Sequence, residues 1–326
     1  MRVKFPVKFP VEYMVILTMA ALALLVGAGI PATPRPRLLG VTKISIRTVD
    51  LKSATDFYRG LLGFEEAYRR GDSRLFKIND RQFVEVAPGL NPADDRLISV
   101  AIETDHAEQM RKYLGEIGWK VPTAVTTDTL GSLVVRVTDP EGPEGPEGPE
   151  GRELEFIEYP ASGRIRKDAG RLLGAKRLSQ RMMHAGVIVT NAPPALAFYA
   201  EKMGLREFWR GSARDSKYLS WINMRLPEGD DYLELMLYPE LPPGDRRGSA
   251  HHLCLEVPDI ELARAAIENS PARTSYTRPI EIRVGINRRR QLNLFDPDGT
   301  RSELMEPQTV DGVPPVSSTN PYPAHP

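Results

Sequence analysis

The chain has 326 residues, which is enough for about two domains at the usual size of roughly 100–200 residues each. Hydrophobic residues make up 41% and charged residues 26%, so the chain is neither wholly disordered nor collagen-like. The 43 basic and 43 acidic residues leave no net charge, which gives no reason to expect nucleic acid or an anionic membrane as a partner. A single cysteine, Cys254, excludes an intrachain disulfide framework and a cysteine-based zinc cluster.

The amino-terminal residues 1–36 have the pattern of a signal peptide or an N-terminal membrane anchor. Arg2, Lys4 and Lys8 precede an uncharged apolar run over residues 14–30, and prolines follow it. This run is longer than the core of a usual signal peptide and close to the lower limit for a bilayer span, which is about 20 residues. Both interpretations predict an exported protein, periplasmic or secreted, that meets a membrane only through this segment.

The rest of the chain contains an internal repeat. Each copy begins with an apolar strand, continues with an Asp or Asn suited to cap a helix, and then has an aromatic residue in the helix and a glycine at its end. The offset between the copies is constant and needs no gap. The corresponding residues are Lys43 and His184, Asp50 and Asn191, Phe57 and Phe198, and Gly63 and Gly204.

A second set of matching segments lies further along each copy, at an offset of 154 residues. An Asp-Pro-Glu/Asp-Gly turn precedes a glutamate in both copies. The glutamates align only when three Gly-Pro-Glu triplets are removed from residues 142–151, a run that we interpret as an extended, solvated insertion in a hairpin turn. The corresponding residues are Ile98 and His252, Asp139 and Asp296, and Glu155 and Glu303.

These repeats predict an α+β chain with two modules, over residues 38–160 and 182–308. Each module holds two units of one strand, a helix and several more strands, in which the helix covers one sheet face and the other face lines a cavity. The basic, glycine-containing residues 161–181 are predicted to be a linker with one short helical turn. The proline-rich residues 309–326 are predicted to be a disordered tail.

The "FY…LG" helix end and the "DP(D/E)G…E" turn resemble the vicinal oxygen chelate superfamily, which includes glyoxalase, bleomycin resistance protein and extradiol dioxygenase. The resemblance implies four βαβββ units whose mixed sheets curl around funnels. It also implies one divalent metal ion that chelates adjacent oxygens of a small-molecule substrate. The metal ligands of that family, carried over to matching positions of the second module, are His184, Glu234, His252 and Glu303.

These residue types suit a metal on chemical grounds as well. Two neutral imidazoles with one or two carboxylates bind Fe(II), Ni(II), Zn(II) or Mn(II) and leave coordination positions open. Each residue alone could be an ordinary buried or surface group. However, His184 and His252 both lie seven residues before an Asn or Asp, and glutamates stand at both partner positions. Glu234 can also be an acid without a metal, because its duplicate Glu85 lies in the other module.

The first module lacks both histidines in this alignment, because Lys43 and Ile98 replace them. Glu85 and Glu155 remain. An ammonium group near two carboxylates forms an ion pair and repels a divalent cation. The first module is therefore predicted to be metal-free, with a structural role.

Other residues near the predicted site have less specific patterns. His251 is predicted to point to the opposite strand face from His252, either as a solvent-side histidine or as a group that supports the metal ligands or acts, like Glu234, as a catalytic acid or base. Cys254 shares the face of His252 and is predicted to pack rather than react. The basic run 288–290 lies on a predicted hairpin and either holds an acidic substrate or is a solvated turn.

Three functions remain open from the sequence. With His184, His252 and Glu303 as the ligands of Fe(II), there is room for extradiol-type ring cleavage. With Glu234 also bound, fewer positions remain, which favours proton transfer as in a glyoxalase or an epimerase. The two-module layout favours ring cleavage, and the expected export disfavours a glutathione-dependent lyase, so the dioxygenase is preferred. The third function is a small-molecule-binding protein without catalysis, similar to the resistance proteins.

Overall fold

In the computed structural model, residues 31–138 and 152–324 are described. Residues 1–30, with the apolar run of the predicted export signal or anchor, the Gly-Pro-Glu run and the Asp139 turn lie outside the described residues, so those interpretations stay predictions. Within the two described ranges, no helix combines the length and the apolar character needed to cross a bilayer.

Each module forms one mixed sheet of eight strands. The strands of the first sheet are β1 (Leu38–Thr48), β2 (Glu65–Arg70), β3 (Ser73–Lys77), β4 (Phe83–Pro88), β5 (Leu97–Thr104), β6 (Thr126–Thr127), β7 (Leu133–Thr138) and β8 (Glu153–Glu158). Those of the second are β9 (Met182–Val189), β10 (Arg206–Gly211), β11 (Trp221–Arg225), β12 (Tyr232–Leu237), β13 (His252–Glu256), β14 (Arg283–Val284), β15 (Arg289–Phe295) and β16 (Arg301–Thr309).

The two sheets have the same topology. The first follows the order β2-β3-β4-β1-β5-β8-β7-β6, and the second repeats it as β10-β11-β12-β9-β13-β16-β15-β14. In each sheet, the first strands of the two units pair antiparallel at the centre, and each pairs in parallel with the last strand of its own unit. The predicted fold of four βαβββ units in two modules is therefore confirmed.

The helices begin and end at the residues that the repeat singled out. Asp50 lies at the N-cap of α1, where its carboxylate accepts hydrogen bonds from the amides of Lys52 and Ser53. Asn191 lies at the N-cap of α4, and Asp259 caps α5. The helices are α1 (Leu51–Thr55) with a π-helical continuation (Asp56–Leu61), α2 (Ala107–Glu116), α3 (Arg164–Lys167), α4 (Ala192–Leu196) with a π-helical continuation (Ala197–Lys202), and α5 (Ile260–Glu268).

The sheet faces that carry the helices share one apolar core. Ile44 and Val84 of the first sheet belong to the same buried cluster as Val187 and Leu235 of the second. Helical segments of the two modules also touch directly, as at the Trp119 and Phe198 rings, whose centroids are 4.4 Å apart. The opposite face of each sheet is thereby left available for polar residues.

The segment between the modules contains the expected short helical turn, α3, but its polar groups are bound to the first module. The buried Lys77 ammonium donates hydrogen bonds to the carbonyls of Asp168 and Arg171, at 2.9 and 2.7 Å. Arg166 forms an ion pair with Glu103 at 2.7 Å. The segment is therefore not merely solvated, because the first module holds it through these contacts.

The expectation of a disordered tail is also wrong for the described residues 309–324. The segment is extended, yet the amide of Ser318 donates to the carbonyl of Arg210 at 2.9 Å, and the amide of Leu219 donates to the carbonyl of Pro321 at 2.8 Å. Proline cannot donate a backbone hydrogen bond, but its carbonyl accepts one. A proline-rich chain can therefore be fixed along an edge strand such as β10.

Candidate metal centre

Four adjacent strands at the centre of the second sheet each contribute one potential metal ligand. Glu234 lies on β12, His184 on β9, His252 on β13 and Glu303 on β16. Because side chains alternate between faces along a strand, the pairing register determines which of them meet. It gives two neighbouring rows on one face, Glu234–Gly186–His252–Arg301 and Tyr232–His184–Cys254–Glu303.

The four donor groups converge on one point. The Nε2 atoms of His184 and His252 are 3.0 Å apart. Glu234 Oε2 lies 3.8 and 3.4 Å from these two nitrogens, and Glu303 Oε2 lies 3.7 and 3.5 Å from them. Ligand atoms about 2.1 Å from one divalent ion lie about 3.0 Å apart at right angles and about 3.4 Å apart in a tetrahedron. The structure thus brings together all four residues proposed as ligands.

The surroundings of His252 fix its ring in a metal-binding orientation. A side chain on Gly186 would overlap the imidazole, so this position on β9 must be glycine. His252 Nδ1 lies 2.7 Å from the carbonyl oxygen of Ala250, to which it donates in the tautomer that leaves Nε2 free as an acceptor. The other imidazole, that of His184, packs against the Tyr232 ring at 4.5 Å between centroids.

The protonation states of the four groups suit a cation. Burial lowers the pKa of both His184 and His252, which keeps the imidazoles neutral. Burial raises the pKa of Glu234 to about 8, and the neighbouring Glu303 carboxylate adds to that rise. Burial alone would also raise the pKa of Glu303, but its contact with His252 and the charge of Arg301 bring it to about 2. A divalent ion would displace the proton that Glu234 retains.

Two further residues lie at this centre. Cys254 lies beside His184 and Glu303 in the sheet. Burial raises the pKa of its thiol well above the usual value, so the thiol is protonated when no cation is bound. With His184 and Glu303 it forms a further group of donors close enough to hold one metal ion. Arg301, which the sequence reasoning missed, lies 2.9 and 3.0 Å from the two ring nitrogens of His252. Its position two residues before Glu303 on the same strand face was the available signal.

His251 does not join the four donors. It lies immediately before β13 and is only 2% exposed. Its Nδ1 is 3.1 Å from a carboxylate oxygen of Asp95, and its Nε2 is 3.1 Å from a guanidinium nitrogen of Arg152. The expectation of a solvent-side histidine is therefore wrong. The ring makes a buried contact with the first module, which also leaves it away from a catalytic position beside Glu234.

The equivalent place in the first module holds an ammonium group. Lys43 Nζ lies 2.7 Å from Glu85 and 2.9 Å from Glu155, as the sequence predicted. Arg70 forms a second ion pair with Glu85, and Arg136 forms one with Glu155 at 3.3 Å. These contacts satisfy both carboxylates with positive charges of the chain itself.

The counterpart of His252 in the first module is Ser99, and Ile98 was the wrong assignment. Ser99 pairs with Ser45 across the sheet in the way that His252 pairs with Gly186. The helix that follows is capped at His106 and at Asp259, so the true offset is 153 and not 154. A shift of one residue moves a side chain to the other face of a strand.

A family model described as the glyoxalase/bleomycin resistance protein/dioxygenase superfamily matches residues 40–144 and 181–304. These two matches cover more than two thirds of the chain and coincide with the two modules. The chain therefore belongs to this superfamily, as its repeat and turn motifs predicted. None of the curated protein sequences compared with the chain matches it.

Solved structures with a similar fold include ring-cleaving dioxygenases. A variant of homoprotocatechuate 2,3-dioxygenase from Brevibacterium fuscum superposes with a TM-score of 0.61 and 19% identity, over 88% of this chain and 76% of that one. The 2,3-dioxygenase LapB from Pseudomonas sp. KL28 gives a TM-score of 0.61 and 16% identity, over 87% and 98%. At these identities the likeness establishes the fold.

Proposed function

We propose that this protein is a divalent-metal enzyme whose ion, held by His184, His252, Glu234 and Glu303, chelates two adjacent oxygens of a small substrate. When bound, such an ion acts as a Lewis acid and stabilises negative charge that develops on those oxygens. The proposal is supported by the family, by the convergence of the four donors and by the space that Gly186 provides for the His252 ring.

The geometry favours proton transfer as the reaction, and the observation that carries this conclusion is the place of Glu234. Its carboxylate oxygen lies as close to the two imidazole nitrogens as that of Glu303 does. If all four residues held the ion, it would have room for the two substrate oxygens but not for dioxygen as well. A lyase, isomerase or epimerase reaction therefore fits better than the ring cleavage that the two-module layout favoured.

The side chains around the ion have different roles in the proposed reaction. Glu303 is held in its ionised form by its contact with His252 and by the Arg301 charge, which suits a permanent ligand. Glu234 has no hydrogen bond to another described side chain that would hold it in this way. We assign it the role of the carboxylate base, which takes a proton from the substrate carbon next to the oxygen pair. Tyr232 and His184 pack together and restrict access of water from that side.

Ring cleavage remains the second candidate because one observation supports it. The tandem arrangement of two modules covers most of the length of the ring-cleaving dioxygenases with a similar fold. In that case Glu234 would stay off the ion, and His184, His252 and Glu303 would be the ligands. The two candidates thus differ in whether Glu234 is needed for metal binding and in whether dioxygen is consumed.

The test loads the protein anaerobically with Fe(II), Ni(II), Zn(II) or Mn(II) and compares wild type with Glu234→Gln. Glu85→Gln, at the matching position of the first module, is the control. We expect the loaded wild type to exchange the carbon-bound hydrogen of 2-oxoaldehyde adducts with solvent deuterium, and Glu234→Gln to lose this exchange. Oxygen uptake with catechols that persists in Glu234→Gln would establish ring cleavage instead. A wild-type protein that takes up no metal would support a binding protein without catalysis.

A further inference from the structure

A cavity of about 310 Å³ opens on the second sheet; residues of β10, β11, β15 and the segment 307–315 line it, but none of the four donors does. Asn223 links the cavity to them, because it lines the cavity and pairs across the sheet with Glu234. Its side chain is 3% exposed, and its Oδ1 has no hydrogen-bond partner among the described residues. A buried acceptor without a partner is costly, which indicates that something absent from the protein itself completes this site.

The arginine run on the hairpin before β16 separates into two kinds of residue. Arg288 forms an ion pair with Asp311, and Arg290 forms one with Glu306 at 2.6 Å. Arg289 lies between them and lines the cavity. Within the described ranges, no carboxylate lies within ion-pair distance of its guanidinium. The run is therefore neither wholly a solvated turn nor wholly a binding site, because its middle member alone faces inward.

Arg289 lies on the same face as the donors. Its Nη1 is 3.5 Å from the sulfur of Met183, and Met183 packs in one buried cluster with Tyr232 and Cys254. The Tyr232 ring in turn packs on the His184 imidazole. Met183 reaches this face because the β9–β13 pairing is irregular at this point, between Met182 and His184.

A second cation stands at the rim of the cavity. Arg225, at the end of β11, lies over the Phe208 ring at 4.7 Å. It also has no carboxylate within ion-pair distance among the described residues. When a divalent ion is bound, its two charges balance Glu234 and Glu303. The charges of Arg289 and Arg225 then remain without a counterion; Arg289 is half-buried, which strengthens its attraction for an anion, whereas Arg225 is exposed.

From this arrangement we infer that Arg289 and Arg225 form an anion subsite, so that the substrate carries a carboxylate in addition to its pair of adjacent oxygens. This inference rests on the proposed function, because it names the substrate class of the same site. Arg289 is the anchor, since it lies deeper, and Arg225 closes the rim. Asn223 would accept a hydrogen bond from a substrate hydroxyl at its free Oδ1.

Three probes separate the two parts of the site. Catechol has the oxygen pair without a carboxylate, benzoate has the carboxylate without the oxygen pair, and 3,4-dihydroxybenzoate has both. Their affinities are measured by titration calorimetry with the Zn(II)-loaded full chain. We expect 3,4-dihydroxybenzoate to bind about 10- to 100-fold more tightly than catechol, as one charge-assisted pair of hydrogen bonds provides. Arg289→Gln should remove this preference and leave the catechol affinity unchanged.

The matched control is Arg288→Gln, the outward neighbour, which should keep the preference; Arg225→Gln should reduce it by a smaller factor. Equal binding of catechol and 3,4-dihydroxybenzoate by wild type would overturn the anion subsite and leave the proposed function intact. If catechol failed to bind while the benzoate affinity still depended on Arg289, the subsite would stand and the proposed oxygen chelation would fail. Loss of the preference in Arg288→Gln as well would also overturn the assignment to Arg289.

Discussion

The two modules place acids at the same two positions and neutralise them in opposite ways. In the first, Lys43 Nζ lies 2.7 and 2.9 Å from Glu85 and Glu155, and Arg70 and Arg136 join them. In the second, the corresponding residue is His184, and its carboxylate neighbours have no such ammonium. The sheet thus supplies a buried pair of acids in both modules. In the proposed function, the residue on the first strand decides whether the neighbouring cation is part of the chain or is a bound metal ion.

The residues that lie beside these acids on the neighbouring strands also differ between the two modules. In the first module two small hydroxyl residues, Ser45 and Ser99, donate to Glu85 and Glu155, at 2.9 and 3.3 Å. In the second module, Gly186 and His252 occupy those places, and the glycine makes room for the imidazole. Each module is thus consistent within itself, so exchanging a single residue between them should damage the module that receives it.

The largest expected difference between the modules is in metal uptake. His252→Ala or Glu303→Ala removes a ligand at the convergence point, so we expect the purified protein to go from one bound divalent ion per chain to none detectable. Lys43→Ala should leave the uptake intact, because the first module does not hold the ion. Elemental analysis after anaerobic loading measures this. Metal loss in Lys43→Ala together with retention in His252→Ala would reverse the roles of the two modules.

The next largest effect is on stability and belongs to the first module. Lys43→Met removes the ammonium from two carboxylates that are at most 3% exposed. Removing one partner of a buried ion pair typically costs about 3–5 kcal/mol. Arg70 and Arg136 still pair with the two carboxylates here, so we expect the lower end of this range. We expect a loss of this size in the free energy of unfolding by urea. Lys52→Met, which breaks an exposed pair with Asp56, is the control and should cost less than about 1 kcal/mol.

The same ion pair gives the first module a pH dependence. Burial alone would raise the pKa of Glu85, but Lys43 and Arg70 lower it from 4.5 to about 2. A carboxyl group whose pKa is lower in the folded state stabilises the protein above its unfolded pKa, and this contribution is lost as the pH falls through its folded pKa. We expect wild type to lose about 2–3 kcal/mol more than Glu85→Gln between pH 5 and pH 2. Identical acid titrations of stability would contradict this origin.

The smallest expected effect concerns the space that Gly186 leaves for the His252 ring. Gly186→Ala places a methyl group where the imidazole lies, so the ring has to move from the convergence point. We expect metal affinity to fall by about 10- to 100-fold, as for other changes that misplace a ligand. Ser45→Ala, at the matching position of the first module, should leave metal affinity unchanged. Competition with a chromogenic chelator measures both, and equal affinities in wild type and Gly186→Ala would show that the ring position is not critical.

Much of the fold and of the candidate site could be predicted because the helix caps of the repeat indicate which residues of the repeated units correspond. The caps Asp50, Asn191 and Asp259 fix where each helix begins, and the strand before each cap then places Lys43, His184 and His252. Alternation along the strands puts the ligands on one face. These are local rules, so they are visible in the sequence.

The remainder depended on contacts that a local pattern does not record. Ile98 was chosen over Ser99 because the match was drawn one residue away from the helix cap, and such a shift changes the face. His251 lies against Asp95 of the other module, and Ser318 is fixed by a strand more than a hundred residues away. Arg289 differs from Arg288 and Arg290 only because these two neighbours form ion pairs with acids at distant positions and Arg289 does not.

The binding of one metal ion by both His184 and His252 can be tested most directly by X-ray absorption on the Zn(II)-loaded full chain, which counts the imidazole ligands of the metal. We predict two imidazoles and additional oxygen ligands in wild type, and one imidazole or no bound metal in His184→Ala. A spectrum that shows no imidazole, or one that is identical in wild type and His184→Ala, would contradict a centre in which residues 184 and 252 hold a single ion.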